Sequence, residues 1–100
     1  MPEFYNDGDG QLVCPICGGE YLHHERVEVF ERKEDEETGL HITVSEGKAE
    51  INRDISGNPS DRRHGLSIQF RCENCCGRPT LHLSQHKGMT YVDFSGNREE

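Results

Sequence analysis

Residues 70–79 read FRCENCCGRP and carry three of the chain's five cysteines, namely Cys72, Cys75 and Cys76. The other two, Cys14 and Cys17, lie in LVCPICGG at residues 12–19. Each segment contains a C-x-x-C spacing, and 54 residues (18–71) separate the two pairs. All five cysteines of this polar 100-residue chain lie in these two segments, which indicates that the two segments act together at one site.

The composition leaves little material for a hydrophobic core. Only 31% of the residues are apolar, 30% are charged and tryptophan is absent. Small chains with so few apolar residues usually need a further source of stability, such as a metal ion or disulfides. The formal net charge of −8 repels nucleic acid and anionic membranes and favours partners with basic surfaces.

The sequence predicts a cytoplasmic protein with no membrane segment. No apolar run approaches the roughly 20 residues of a membrane-spanning helix, and the N-terminal MPEFYNDGDG is too acidic for a signal peptide. In a reducing compartment, paired cysteines are metal ligands more often than disulfides. The odd number of cysteines also fits a closed disulfide set poorly.

The two C-x-x-C pairs together predict one structural zinc ion. Each pair can form a knuckle, a turn whose backbone N–H groups point at the two sulfurs, and in the first knuckle Pro15 stiffens the turn while Gly18 supplies a permissive dihedral. Two knuckles make the closed tetrahedral set of a structural Zn²⁺ site. The predicted ligands are Cys14, Cys17, Cys72 and Cys75.

The long separation between the pairs does not argue against this site. Loop closure costs only about 0.6 kcal/mol per doubling of length, whereas a structural zinc contributes about 10–16 kcal/mol. Cys76 is the alternative to Cys75, since it also precedes a glycine, but the matching C-x-x-C spacing favours Cys75. Cys76 would then be a spare thiol, either a small semi-buried side chain or a site sensitive to oxidation.

Nothing in the sequence predicts an enzyme. A thioredoxin-like reading of CPIC is disfavoured because Gly18 and Gly19 follow where a helix should begin. The six histidines form no recognised catalytic or metal-binding motif, and we expect ordinary surface or semi-buried roles for them. A closed Cys₄ site also has no open position for a catalytic water.

Alternating apolar residues predict a mostly antiparallel β fold. Strands are expected within residues 21–32, 40–44, 65–71, 79–84 and 89–94, the last two as a hairpin, and Leu66, Ile68 and Phe70 are expected to point inward. Residues 45–65 are expected to form a long surface loop with a short strand near 49–51. We predict one β domain over residues 12–94 with a mobile or loop-rich acidic insert at about 31–64, a flexible lead-in at 1–11 and a flexible tail at 95–100.

With CPICG paired to CENC, and predicted strands entering and leaving each knuckle, the chain resembles the zinc-ribbon class. The order of LVCPICGGEYLHHERVEVFERKEDEETGLHITV, GLSIQFRCENC and LHLSQHKGMTYV, over about Leu12–Val92, is similar to small uncharacterised zinc-ribbon proteins of bacteria and their phages. The resemblance implies a β-ribbon organised by the four cysteines, used as a contact module in transcription, translation or nucleic-acid machinery. The acidic insert and Cys76 depart from the pattern, and QHKG (85–88) is a family-like signature without an evident mechanism.

Three functions follow from these features. The preferred one is a non-catalytic accessory or regulatory module, a monomer or homodimer, that binds a protein partner with a basic surface. The second is nucleic-acid binding, with basic patches and stacking tyrosines supplied by Arg53, Arg62, Arg63, Arg71, Arg78, Lys87, Tyr5, Tyr21 and Tyr91. A pI near 5.2 argues against it, since such domains usually exceed about 9. The third, acidic mimicry of DNA, is weakened because 11 basic residues are interspersed among the 19 acidic ones.

Overall fold

The chain folds into β-strands. A computed structural model describes residues 5–6, 10–33, 36–60 and 62–95, and within these ranges it contains no helix. Eight strands follow one another, and in chain order they are β1 (Tyr5–Asn6), β2 (Gln11–Leu12), β3 (Leu22–Glu31), β4 (Leu40–Ser45), β5 (Lys48–Asn52), β6 (Gly65–Cys72), β7 (Thr80–His86) and β8 (Met89–Ser95). The prediction of a mostly antiparallel β fold is confirmed.

Six of the strands form one antiparallel sheet in the order β5-β4-β3-β6-β7-β8, while β1 and β2 pair separately. The longest strand, β3, is central and pairs with β4 on one side and β6 on the other. Because β3 begins soon after the first knuckle and β6 runs into the second, the pair Leu22–Cys72 brings both knuckles to the same end of the sheet. The pairing of β3 with β6 thus brings the two cysteine pairs, which are far apart in the sequence, close together in space.

Two tight turns connect the outer hairpins. Glu46 and Gly47 join β4 to β5, and Lys87 and Gly88 join β7 to β8, all four with positive φ values of 55°, 78°, 52° and 79°. A two-residue turn with both φ values positive matches the right-handed twist of the flanking strands. The hairpin predicted for residues 79–94 is confirmed. Its turn consists of residues 87–88 within the predicted 85–88.

The segment predicted as a loop-rich insert contributes two strands to the sheet. Residues 31–64 include β4 and β5, so the acidic segment leads directly into a hairpin of the main sheet. The predicted lead-in also contains paired residues, at Tyr5–Asn6 and Gln11–Leu12. The remaining lead-in positions 1–4 and 7–9, and positions 96–100 of the predicted tail, lie outside the described residues.

The sheet has one polar and one apolar face, because cross-strand partners share a face and neighbours along a strand alternate. On the polar face, the loop of residues 53–64 lies above Phe30, whose ring is 3.7 Å from the position of a Cβ on Gly57. Ser60 fastens this loop by donating a hydrogen bond to the carbonyl of Gln85 at 2.7 Å. Phe30, Gly65 and Ser67 are consequently buried.

The apolar face is occupied by two uninterrupted rows of side chains that cross all six strands. One row is Ala49–Val44–Val27–Ile68–Leu81–Phe94 and the other is Ile51–Ile42–Val29–Leu66–Leu83–Val92. Leu66, Ile68 and Phe70 do share this face, as predicted from their alternation, but they are only half-buried. The expectation that they point into a core is wrong, since the covering loop lies on the opposite face.

The described residues hold no helix long and apolar enough to cross a membrane.

Candidate metal centre

Four sulfurs meet at the end of the sheet where β3 begins and β6 ends. The Sγ atoms of Cys14, Cys17, Cys72 and Cys75 all lie within 4.8 Å of one another. Cys14 and Cys75 are 3.9 Å apart, and Cys17 and Cys72 are 3.6 Å apart. Four sulfurs about 2.3 Å from a tetrahedral Zn²⁺ would be about 3.8 Å apart, whereas a disulfide needs about 2.05 Å. The spacing therefore fits a metal tetrahedron.

The first knuckle is a compact turn that presents N–H groups to its own sulfurs. Ile16 and Gly19 donate backbone hydrogen bonds to the sulfurs of Cys14 and Cys17, each at 3.3 Å. The turn is closed by Gly18 N–H to the Cys14 carbonyl at 2.8 Å and by Cys14 N–H to the Gly19 carbonyl at 2.9 Å. Hydrogen bonds of this kind stabilise thiolate ligands and fix their direction.

The second knuckle repeats the same closure. Cys76 N–H bonds the Cys72 carbonyl and Cys72 N–H bonds the Gly77 carbonyl, both at 3.1 Å. Cys72 corresponds to Cys14 in the other knuckle, and Cys75 corresponds to Cys17. The two knuckles are therefore related by a local two-fold symmetry, which exchanges the Cys14–Cys75 sulfur pair with the Cys17–Cys72 pair.

A glycine in each knuckle makes room for the opposite knuckle. A Cβ on Gly19 would lie 2.5 Å from the Asn74 side chain, and a Cβ on Gly77 would lie 2.5 Å from the Ile16 side chain. Asn74 and Ile16 are the third residues of their respective C-x-x-C turns. The two turns therefore interlock, and neither glycine can carry a side chain without a shift in the other turn.

Cys76 occupies the position that Gly18 holds in the first knuckle. Both residues follow the second cysteine of their pair and both have a positive φ, 60° for Cys76 and 79° for Gly18. The Cys76 side chain is exposed and its sulfur is not part of the four-sulfur cluster. The structure thus places Cys75 in the cluster, in line with the spacing argument, and leaves Cys76 outside it.

The thiols of the cluster differ in acidity. Burial raises the pKa of Cys14. The N–H of Gly19 favours the Cys17 thiolate, but burial and hydrogen bonds to the neighbouring thiols prevail and raise the pKa of Cys17 to about 12. Burial also opposes ionisation of Cys72, but backbone N–H groups and the thiols of Cys17 and Cys14 outweigh it and lower the pKa of Cys72 to about 7. Near neutral pH, the metal-free cluster is therefore expected to carry its first negative charge on Cys72.

A β-bulge in β3 supports the second knuckle from outside. The pairing of β3 with β6 shifts register between His24 and Arg26, which leaves Glu25 as the extra residue. The Glu25 carboxylate accepts hydrogen bonds from Arg71, at 3.1 Å, and from Arg78, which flank the knuckle on either side. No local pattern in the sequence marks this bulge.

A second set of contacts ties the knuckle to the start of β3. His23 contacts the carboxylate of Glu73, the second residue of the CENC turn. The Glu73 N–H also bonds the Tyr21 carbonyl at 3.1 Å. These contacts hold the second knuckle against the start of β3.

None of the histidines in the described residues joins the sulfur cluster. His41 stacks on Phe30 with ring centroids 4.3 Å apart and contacts Glu28 at 2.9 Å. His82 lies 2.8 Å from the Ser67 hydroxyl across β6 and β7. These polar cross-strand contacts were not foreseen from the sequence, since they depend on the strand register.

Comparisons with known proteins add no assignment. No family model, curated protein or solved structure matches this chain. What the chain can do must therefore be argued from its own residues. The four cysteines could hold a metal ion, because their sulfur atoms are close enough together to share one. Thiolate sulfurs in a tetrahedral set are the donors that zinc and iron sites use.

Proposed function

We propose that Cys14, Cys17, Cys72 and Cys75 hold one structural Zn²⁺ and that the protein is a zinc-ribbon module without catalytic activity. The observation that carries this proposal is the sulfur spacing of 3.6 Å and 3.9 Å, which lies on both sides of the tetrahedral value of about 3.8 Å. Four thiolates complete the coordination of the ion, so no position remains for a reacting water.

Metal content of the purified protein tests the site directly. We expect one zinc per chain by native mass spectrometry and elemental analysis. A colourless solution would separate zinc from iron, the other metal that tetrahedral thiolates commonly bind. Cys75→Ser should lose the metal, whereas the matched control Cys76→Ser, one residue away, should retain it. Metal retained by Cys75→Ser and lost by Cys76→Ser would overturn the ligand set.

We infer that the task of this module is to bind a partner protein with a basic surface. Support comes from the net charge of −8 and from the acidic side chains of Glu36 and Glu37, which are exposed on the β3–β4 connection. The arginines near the metal centre favour this over nucleic-acid binding. Arg71 and Arg78 share the carboxylate of Glu25, and Arg26 contacts Glu28 at 3.2 Å, so carboxylates offset part of the charge of these arginines.

Affinity capture from cell lysate with the zinc-loaded protein tests the partner class. A specifically captured basic protein should be lost when Glu36 and Glu37 are both changed to Lys and retained when Glu46 and Glu50 are, because the β3–β4 connection is the proposed contact. Binding should also weaken with salt. Retention of single-stranded or duplex oligonucleotides at low salt, with no protein captured, would instead support the nucleic-acid alternative.

A further inference from the structure

We propose that two copies of the protein pack their apolar faces against each other, forming a two-layer β-sandwich dimer. This goes beyond the proposed function, which places a partner at the acidic connection and leaves the sheet face unassigned. The apolar face is defined by the two rows given above, which contain twelve residues, six from each row and two from each strand of the main sheet.

The pattern of these rows is that of a face built to be buried. An antiparallel sheet with one covered face shows apolar residues on the covered side and polar residues on the other. Here every member of both rows is apolar, whereas the neighbouring row on the opposite face reads Glu50–Thr43–Glu28–Ser67–His82–Asp93. The alternation is complete across the sheet.

No described element covers this face. The strands of the main sheet contact their neighbours within the sheet, and β1 and β2 contact each other. Val44, Ile51 and Val92 remain 44%, 69% and 52% exposed. Of the twelve residues only Phe94 is buried, and its ring contacts that of Phe70 with centroids 5.7 Å apart. The exposed side chains of Val44, Ile51 and Val92 show that the rest of the face is open within the described chain.

The charge distribution favours a second copy as the occupant. Two molecules of net charge −8 repel one another in general, yet neither row contains an ionisable side chain. The acidic residues Glu28, Glu50 and Asp93 point to the other face, away from a dimer interface. A dimer formed through the apolar face therefore does not bring the acidic side chains of the two copies close together.

The area of the face reaches the minimum that a specific interface requires. Six strands spaced about 4.8 Å apart span about 24 Å, and strands of this length give about 20 Å in the other direction. Two such faces remove on the order of 1,000 Å² from water, which meets the lower bound for a specific interface. A twisted sheet packs on its own copy at about −30° with about 10 Å between layers, so a two-fold dimer needs no change of fold.

Sedimentation of the zinc-loaded protein tests this inference. We expect a species of twice the chain mass of 11.4 kDa at micromolar concentration. The double substitution Val44→Glu and Val92→Glu places charge on exposed positions of the apolar face and should give a monomer with unchanged circular dichroism. The matched control, Lys48→Glu with Tyr91→Glu, puts charge on the polar face, on β8 and on β5 beside β4, and should remain dimeric.

Each other outcome contradicts the proposal. A wild-type monomer at about 100 µM would mean that the face belongs to a different partner or to another segment. A dimer that survives Val44→Glu/Val92→Glu but is lost in the control would indicate edge-strand or polar-face pairing. Zinc content is measured in the same samples, so failure of the dimer is distinguishable from failure of the metal centre.

Discussion

Cys76 is the residue whose role is explained best by comparing the two knuckles. It stands at a positive φ of 60°, where Gly18 stands in the other knuckle. A side chain there costs about 1–2 kcal/mol, while glycine loses about 0.4–1 kcal/mol through the entropy of the unfolded chain. We therefore expect Cys76→Gly to keep one zinc and to raise the free energy of unfolding by about 0.5–1 kcal/mol, measured by urea denaturation.

The equivalent position in the first knuckle, Gly18, allows the converse substitution. A Cβ on Gly18 would meet nothing within 4 Å, so Gly18→Ala tests backbone strain alone. It should lower the free energy of unfolding by about 0.5–1 kcal/mol. Effects of the same sign at positions 18 and 76 would contradict the equivalence of the two knuckles, and loss of zinc in Cys76→Gly would make Cys76 a ligand.

Metal affinity should fall steeply as the pH is lowered. The pKa of Cys17 is about 12 and that of Cys14 is raised, so both thiols carry protons at pH 7–8 and must release them to bind zinc. Each such thiol contributes about a tenfold loss of affinity per pH unit, or about 100-fold for the two. Below about pH 7, Cys72 also takes up a proton and the loss becomes steeper.

Competition with a chromophoric chelator between pH 6 and 8.5 measures this dependence. Calorimetry in buffers of different ionisation enthalpy should also detect at least two protons released per zinc bound. An affinity that does not change with pH would show that thiolates are not the ligands.

At the scale of elements, the loop of residues 53–64 depends on one buried hydroxyl. Ser60 Oγ donates to the Gln85 carbonyl at 2.7 Å and accepts from Arg63 N–H at 3.0 Å, and the residue is only 4% exposed. Ser60→Ala removes both hydrogen bonds at this buried position, so we expect a loss of about 1–3 kcal/mol in unfolding free energy. Thr38→Ala, at an exposed position, should change it by less than about 0.5 kcal/mol.

The contrast with the sequence analysis is sharpest for these elements. Strong alternation in GLSIQFR and LHITV predicted β6 and β4, since the period of two is a local property. The strand β5 was foreseen only as a short segment near 49–51, because KAEIN offers only Ala49 and Ile51 as apolar residues. Its turn uses Glu46 at a positive φ, a residue type that seldom marks such turns.

Burial could not be predicted from the same pattern. Alternation tells which residues share a face but not which face another element covers. In this chain the loop of residues 53–64 lies over Phe30 and Ser67, so these are buried while Leu66 and Ile68 stay half-exposed. For the metal centre, the spacing predicted Cys75 as the fourth ligand, and the Cys75 sulfur lies in the four-sulfur cluster, because the C-x-x-C turn is itself a local structure.

At the scale of the whole molecule, the core is small and the proposed dimer should contribute to stability. The buried apolar side chains of the described chain are those of Cys14, Phe30, Cys72, Pro79 and Phe94, of which two belong to the sulfur cluster. A radius of gyration of 14.3 Å, compared with about 13 Å for a compact 100-residue domain, agrees with an open single-layer sheet.

If two copies share the apolar face, the melting temperature should rise with protein concentration, since dissociation accompanies unfolding. Thermal unfolding at 5 µM and 200 µM should show this increase for the wild type and not for Val44→Glu/Val92→Glu. Equal melting temperatures for the wild type at both concentrations would contradict the dimer.

The dependence of folding on the metal centre follows from the same small core. A structural zinc contributes about 10–16 kcal/mol, which equals or exceeds the whole stability of an ordinary domain at about 5–15 kcal/mol. Circular dichroism of the zinc-loaded protein, before and after removal of the ion by a chelator under reducing conditions, measures this dependence most directly. We predict loss of the β signal and of cooperative melting on chelation, and recovery of both with one equivalent of Zn²⁺. A metal-free chain that keeps the same spectrum and melts cooperatively would contradict the account.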